Sequence, residues 1–209
     1  KGLQESLFPF YKVFRIGTWI LFGLYSTIIL FKLLFQRIIF RITDYINAVT
    51  FDYPNTNRYF FYPDNSNGFF DIEVWKYNAN IIPFQNISFY LTRSDAFDQY
   101  AIFYNTLGNI LIFLPLGIFL PILFRRYRSL SQVFVGSILI SFSIEILQFV
   151  LQLGQFDIDD IILNGFGSII GFLLYRIIKK CHNFTERKSI PKNYKLISSF
   201  SKMWALSLG

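Results

Sequence analysis

The chain has 209 residues, of which 53% are hydrophobic, 21% aromatic and only 16% charged, with a net charge of +7 and a mean hydropathy of +0.40. Soluble domains average about 25% charged residues, so this composition excludes a disordered chain and fits neither a collagen-like nor a disulfide-rich secreted class. Uncharged runs of 16 residues (Ile16–Phe31), 26 (Gln99–Phe124), 16 (Ser129–Ile144) and 15 (Ile161–Tyr175) decide for a membrane protein, because a span needs roughly 20 mainly apolar residues and flanking Lys or Arg snorkel to complete the shorter ones.

In chain order the runs predict an all-α, polytopic membrane bundle of four spans, Val13–Phe35, Ala101–Phe124, Gln132–Leu153 and Ile161–Ile178. The first lacks a small-residue cleavage site after a short apolar core and reads as a retained span. The chain divides into an N-terminal segment with the first span (1–40), an extracytoplasmic connector (41–100), a three-helix membrane core (101–178) and a basic tail (179–209). The connector holds four basic residues and seven acidic ones, with many aromatics and Asn, Asp and Pro turn signals. Pro115 and Pro121 fall inside the second span, where membrane helices tolerate them.

The loops predict the orientation. Arg125, Arg126 and Arg128 follow the second span, Asp157, Asp159 and Asp160 follow the third, and a basic series from Arg176 to Lys195 follows the fourth. By the bias of basic residues toward the cytoplasm, both termini are expected inside and the aspartates outside, in a cell membrane. Lys32, Arg37 and Arg41 dissent, since this topology places them outside. The basic tail is expected to touch anionic lipid rather than nucleic acid. Cys181 and His182, the sole Cys and His, make neither a disulfide framework nor a zinc site, and no metal, cofactor or nucleotide-binding loop is expected.

Polar residues inside the spans carry the functional reading. With a rise of about 1.5 Å per residue, Asn109 and Glu145 each lie roughly 12 Å from the outer end of their spans. Gln148 shares a face with Glu145 at i, i+3. Asp160, Asn164, Gly167 and Gly171 form one stripe on the fourth helix, and the glycine pair invites a close helix approach. An ionised carboxylate at the membrane centre costs at least about 2.5 kcal/mol, so Glu145 is the sharpest pointer. Two readings stay open for it: a pocket residue, or structural glue bonded to Asn109 or Asn164 across helices. The aspartates are equally a site or a solvated loop with a helix cap.

Four elements, in order and spacing, resemble the VanZ-like family: Asn80-Ile81-Ile82-Pro83-Phe84, the stretch from Asn109 through Pro115 to Gly117, Glu145-Ile146-Leu147-Gln148, and the stretch from Phe156 through Asp157, Asp159, Asp160 and Asn164 to Gly167. The resemblance covers about residues 78–178. It implies a small bacterial multi-span protein whose namesake is associated with teicoplanin resistance, and it implies Asn109, Glu145, Gln148, Asp157, Asp160 and Asn164 as ligand-binding candidates. Two departures stand out. Gln155 follows Gly154 where the family often carries Arg, so an anion held by that Arg lacks it here. The connector before Ile81 is also longer than usual.

Three functions follow as expectations. The first is a binding protein whose outward polar pocket engages membrane lipid, a lipid-linked ligand or a lipoglycopeptide. The second is an intramembrane enzyme on lipid-linked phosphate or sugar substrates, with Glu145 and an aspartate as acid and base. The third is a partner-binding subunit or homo-oligomer using the glycine stripe.

Overall fold

The computed structural model describes residues 2–51, 57–85, 88 and 96–189, with side chains over 12–51, 57–85, 88 and 106–181. The basic tail beyond Ser189, connector residues 52–56, 86, 87 and 89–95, and the His182 side chain lie outside the described residues.

The chain is an all-α membrane bundle: four helices are long and apolar enough to cross a membrane. They are the first rod, formed by α1 (Gly2–Leu30), a π-helical turn (Phe31–Phe35) and α2 (Gln36–Phe51); then, after α3 (Ile72–Asn78) and strand β1 (Ala79–Asn80), the long α4 (Ala96–Leu123); α5 (Leu130–Val150); and, after strand β2 (Phe156–Asp157), α6 (Ile158–Ser189). The strands pair in parallel, Ala79 with Phe156 and Asn80 with Asp157.

The first rod runs beyond the expected end of its span. Lys12–Phe51 is 40 residues of helix, about 60 Å at 1.5 Å per residue and about twice the hydrocarbon thickness. The basic residues that end the apolar run do not end the helix. Arg37, Arg41 and Asp44 continue it as a polar-faced extension, and the helix runs on to Phe51.

The core lies between α4, α5 and α6. Phe113, Leu116, Leu120, Val133, Phe172 and Tyr175 are buried together. Glycines set the α4–α6 spacing: a Cβ on Gly167 would overlap the Ile110 carbonyl, one on Gly171 the Leu114 carbonyl, and one on Gly117 the Ser168 carbonyl. The stripe expected to receive a helix therefore receives the chain's own α4. α5 opens on a capping box, with the Gln132 amide N–H donating to Ser129 Oγ and the Ser129 amide to Gln132 Oε1. Trp19, Phe22 and Tyr25 of α1 meet Phe119 and Phe124 edge-on or tilted, and the Tyr25 hydroxyl donates to the Ile112 carbonyl at 2.7 Å.

The described part of the connector folds onto the end of α5. Phe60, Val74 and Phe149 form a second buried cluster, to which Phe69 and Trp75 add aromatic contacts. Asn78 pins it: its Oδ1 accepts from the Phe61 amide at 2.8 Å, and its Nδ2 donates to the Phe61 and Val74 carbonyls at 2.6 and 2.8 Å. Asp71 caps α3, and the amides of Asn67 and Glu73 that it accepts hold its carboxyl below the usual carboxylate range. Arg58 ties the segment to α2 through a two-bond ion pair with Asp44 and lies over the Phe40 ring.

Candidate functional site

A cavity of about 290 Å³ lies where the first rod crosses α4, α5 and α6. Its wall takes Lys32 and Leu33 from the π-turn, Gln36 and Arg37 from α2, and Tyr59 from the connector. From the core come Gly108, Asn109 and Ile112 of α4, Ile144, Glu145 and Gln148 of α5, and Asp160 and Asn164 of α6.

Local chemistry explains each placement. The α4–α6 approach that the glycines permit lets Asn109 Nδ2 donate to Asp160 Oδ1 across the two helices. One turn along α6, Asn164 Nδ2 donates to Ser141 Oγ of α5 at 2.8 Å. Asn164 is only 7% exposed, and its Oδ1 is buried with no partner. Glu145, 5% exposed, accepts the Asp157 amide at 3.2 Å, which ties α5 to β2. Gln148 donates to the Leu33 carbonyl at 2.8 Å. That carbonyl lies in the π-turn, a feature common at functional sites.

Asp157 and Asp159 stand behind the cavity wall; Asp159 is buried, and Asp157 is half-buried and caps the start of α6. Asp157 Oδ1 accepts from Asn80 Nδ2 and from the Asp159 amide, both at 2.9 Å. Asp159, 2% exposed, accepts the Phe84 amide at 2.5 Å. Phe84 pays for that bond with a φ of 65°, a region that costs an L-residue of order 1 kcal/mol. The Asn80–Phe84 element and the aspartate element are thus one joint. Of the six candidates, Asn109, Glu145, Gln148, Asp160 and Asn164 meet at the cavity, and Asp157 positions Glu145 from behind.

Sequence reasoning missed Arg37, Lys32, Gln36 and Tyr59. Arg37 Nη1 donates to the Leu153 carbonyl at 3.0 Å and lies against Gly154, where a Cβ would overlap it; its guanidinium sits over the Tyr59 ring at 5.4 Å. A cation therefore stands beside Gly154 although Gln155 follows that glycine. The missed signal was the dissent from the charge bias, because Lys32 and Arg37 are two of the three dissenting cations. Arg37 makes no ion pair with either carboxylate of the cavity: the ion pairs among the described residues are Arg58–Asp44 and Lys76–Glu73. Among the described residues no group of three metal-ligating side chains gathers.

The family model described as VanZ/LLP1 matches residues 24–179, well over half of the chain. A protein of Enterococcus faecium named Protein VanZ is 33% identical over 81 residues, covering 39% of this chain and 50% of that protein. The chain thus spans half the length of this curated relative. No solved structure matches it.

Proposed function

This chain belongs to the VanZ/LLP1 family, and from that premise we propose that its cavity binds a membrane lipid or a lipid-anchored ligand in the outer leaflet, altering how the cell envelope meets lipoglycopeptides such as teicoplanin. The observation that carries the proposal is the convergence of two carboxyl groups, four amides, an ammonium and a guanidinium from the first rod, α4, α5 and α6 on one cavity. Polar groups at membrane depth are costly, and they persist where they face a cavity with work to do. Carboxylates and amides accept from hydroxyl and ammonium groups, and the guanidinium donates to anions. The cavity lies at the bundle end opposite Arg125, Arg126 and Arg128. With those arginines inside, it opens outward and both termini are cytoplasmic. The dissent of Lys32 and Arg37 then has a local cause, since they serve the cavity.

Glu145→Gln tests this. The variant keeps side-chain length and an acceptor for the Asp157 amide, and replaces one carboxyl oxygen with an amide NH2. In cells that depend on the protein for teicoplanin tolerance, tolerance is expected to fall to that of cells lacking it, with membrane levels unchanged on immunoblot. Full tolerance at equal levels contradicts a role for the cavity.

One observation favours a second reading. Glu145 and Asp160 face the same cavity, an arrangement that suits acid and base roles on a lipid-linked phosphate or sugar substrate. Turnover of such a lipid by the purified protein, lost in both Glu145→Gln and Asp160→Asn, separates this reading from binding alone.

A further inference from the structure

The two sides of the cavity carry opposite chemistry. Lys32 and Arg37 reach it from the first rod, while Glu145, Asp160 and Asn164 reach it from α5 and α6. On the cationic side, Arg37 is held in place by the Leu153 carbonyl and the Tyr59 ring, and a guanidinium has further N–H donors beyond the one so used. On the acceptor side, Asn164 is more than nine-tenths buried, its amide group is engaged by Ser141, and its Oδ1 has no donor. Asp160 and Glu145 accept from Asn109 and the Asp157 amide respectively, and a carboxylate has lone pairs beyond one such bond. Basic and acidic side chains line one cavity without an ion pair between them. Buried unpaired polar groups are expensive. A molecule anionic at one end and bearing O–H or N–H donors at the other satisfies both sides at once.

Accepting the lipid-ligand reading above, we infer that the cavity takes the head group of a phospholipid, with its phosphate against Arg37 and Lys32 and its hydroxyl or amine donors against Asn164, Asp160 and Glu145. Phosphate matches the fork of a guanidinium, and it is the anion that membrane lipids carry beside hydroxyl or amine donors. Leu33, Ile112 and Ile144 give the same cavity an apolar wall. The first rod has 6% of its most apolar stretch buried against 28–50% for the other three spans, so most of its surface is left for acyl chains beside the cavity. A lipid uses that surface, and a free phosphate ester does not need it.

The test is native mass spectrometry of the full chain released from vesicles, with four probes. Phosphatidylglycerol carries phosphate and hydroxyls, phosphatidylmethanol phosphate without donors, glucosyl diacylglycerol hydroxyls without phosphate, and glycerol phosphate the head group without chains. Phosphatidylglycerol is expected to be retained one to one, about tenfold above the other two lipids, since a charge-assisted hydrogen bond is worth about a factor of ten or more. Glycerol phosphate is expected not to displace it. Arg37→Gln should lose that retention about tenfold and Arg37→Lys should recover part of it. If Arg37→Gln does not insert, the exposed Lys32→Gln reads the same phosphate contact. Equal retention of glucosyl diacylglycerol, unchanged by these variants, overturns the phosphate assignment and leaves the lipid reading standing. Displacement by glycerol phosphate at equal affinity overturns the lipid source. Retention of no lipid above its bulk share removes both the inference and the reading on which it rests.

Discussion

Gly171→Val is expected to abolish the folded bundle. Any Cβ at this position overlaps the Leu114 carbonyl of α4, and the Gly117 Cα lies close by. Both obstacles are backbone, so no side chain can swing aside. Gly167 faces the Ile110 carbonyl and Gly117 the Ser168 carbonyl in the same way, so α4 and α6 touch at three successive backbone approaches. In lipid, where apolar area gives helices little reason to associate, such close approach and the van der Waals contact it allows supply much of the driving force. Overpacking a tight site costs typically 1–3 kcal/mol, and here about 3 kcal/mol or more is expected because the backbones must separate. Separation would also break the Asn109–Asp160 hydrogen bond. Gly23→Ala is the control: a Cβ there meets nothing within 4 Å, and helix propensity makes the change neutral or stabilising by up to about 1 kcal/mol. Thermal unfolding in detergent, followed by circular dichroism, should separate the two. Wild-type unfolding of Gly171→Val contradicts the α4–α6 packing described here.

The second large effect concerns the connector. Asn78 is fully buried and serves the amide and carbonyl of Phe61 and the carbonyl of Val74. Asn78→Ala leaves these backbone groups without their partner and opens a void beside Val74. An unsatisfied buried group costs about 1–3 kcal/mol, so the folded segment is expected to lose roughly 3 kcal/mol. The loss is local, because this segment has its own cluster around Phe60, Val74 and Phe149 apart from the α4–α6 core. Hydrogen exchange should show residues 57–80 losing protection by about a hundredfold while α4 and α6 keep theirs. Unchanged exchange in 57–80 contradicts the role given to Asn78, and equal loss in α4 and α6 contradicts its independence.

The sequence showed the spans because an uncharged run in lipid has few alternatives to helix, and it exposed Glu145 because a carboxylate amid such a run is conspicuous. Helical spacing put Glu145 with Gln148, and Asp160 with Asn164. What stayed hidden depends on contacts distant in sequence. Arg37 looked like an orientation signal, since charge statistics do not distinguish a residue that flanks a span from one that reaches into a cavity. The π-turn at Phe31–Phe35 has no residue pattern of its own, so the acceptor that Leu33 offers Gln148 was invisible. The first helix ran on to Phe51 because an amphipathic continuation lacks the apolar density used to find spans. The aromatic excess, unexplained by interfacial belts alone, is now accounted for in part by two ring clusters, one between α1 and α4 and one holding the connector to Phe149. The shape of the connector rested on Asn78, which in sequence is one more turn-forming residue.

The central claim is that a lipid head group enters the cavity between the first rod and α4–α6. A phospholipid with a photoreactive diazirine near its head group, incorporated into vesicles with the full chain, tests it directly. The expected adducts, mapped by peptide mass spectrometry, fall on Leu33, Ile112 and Ile144 and disappear in Glu145→Gln. Adducts confined to the outward faces at Leu111, Leu139 and Leu173, with the cavity wall unlabelled, would contradict the account.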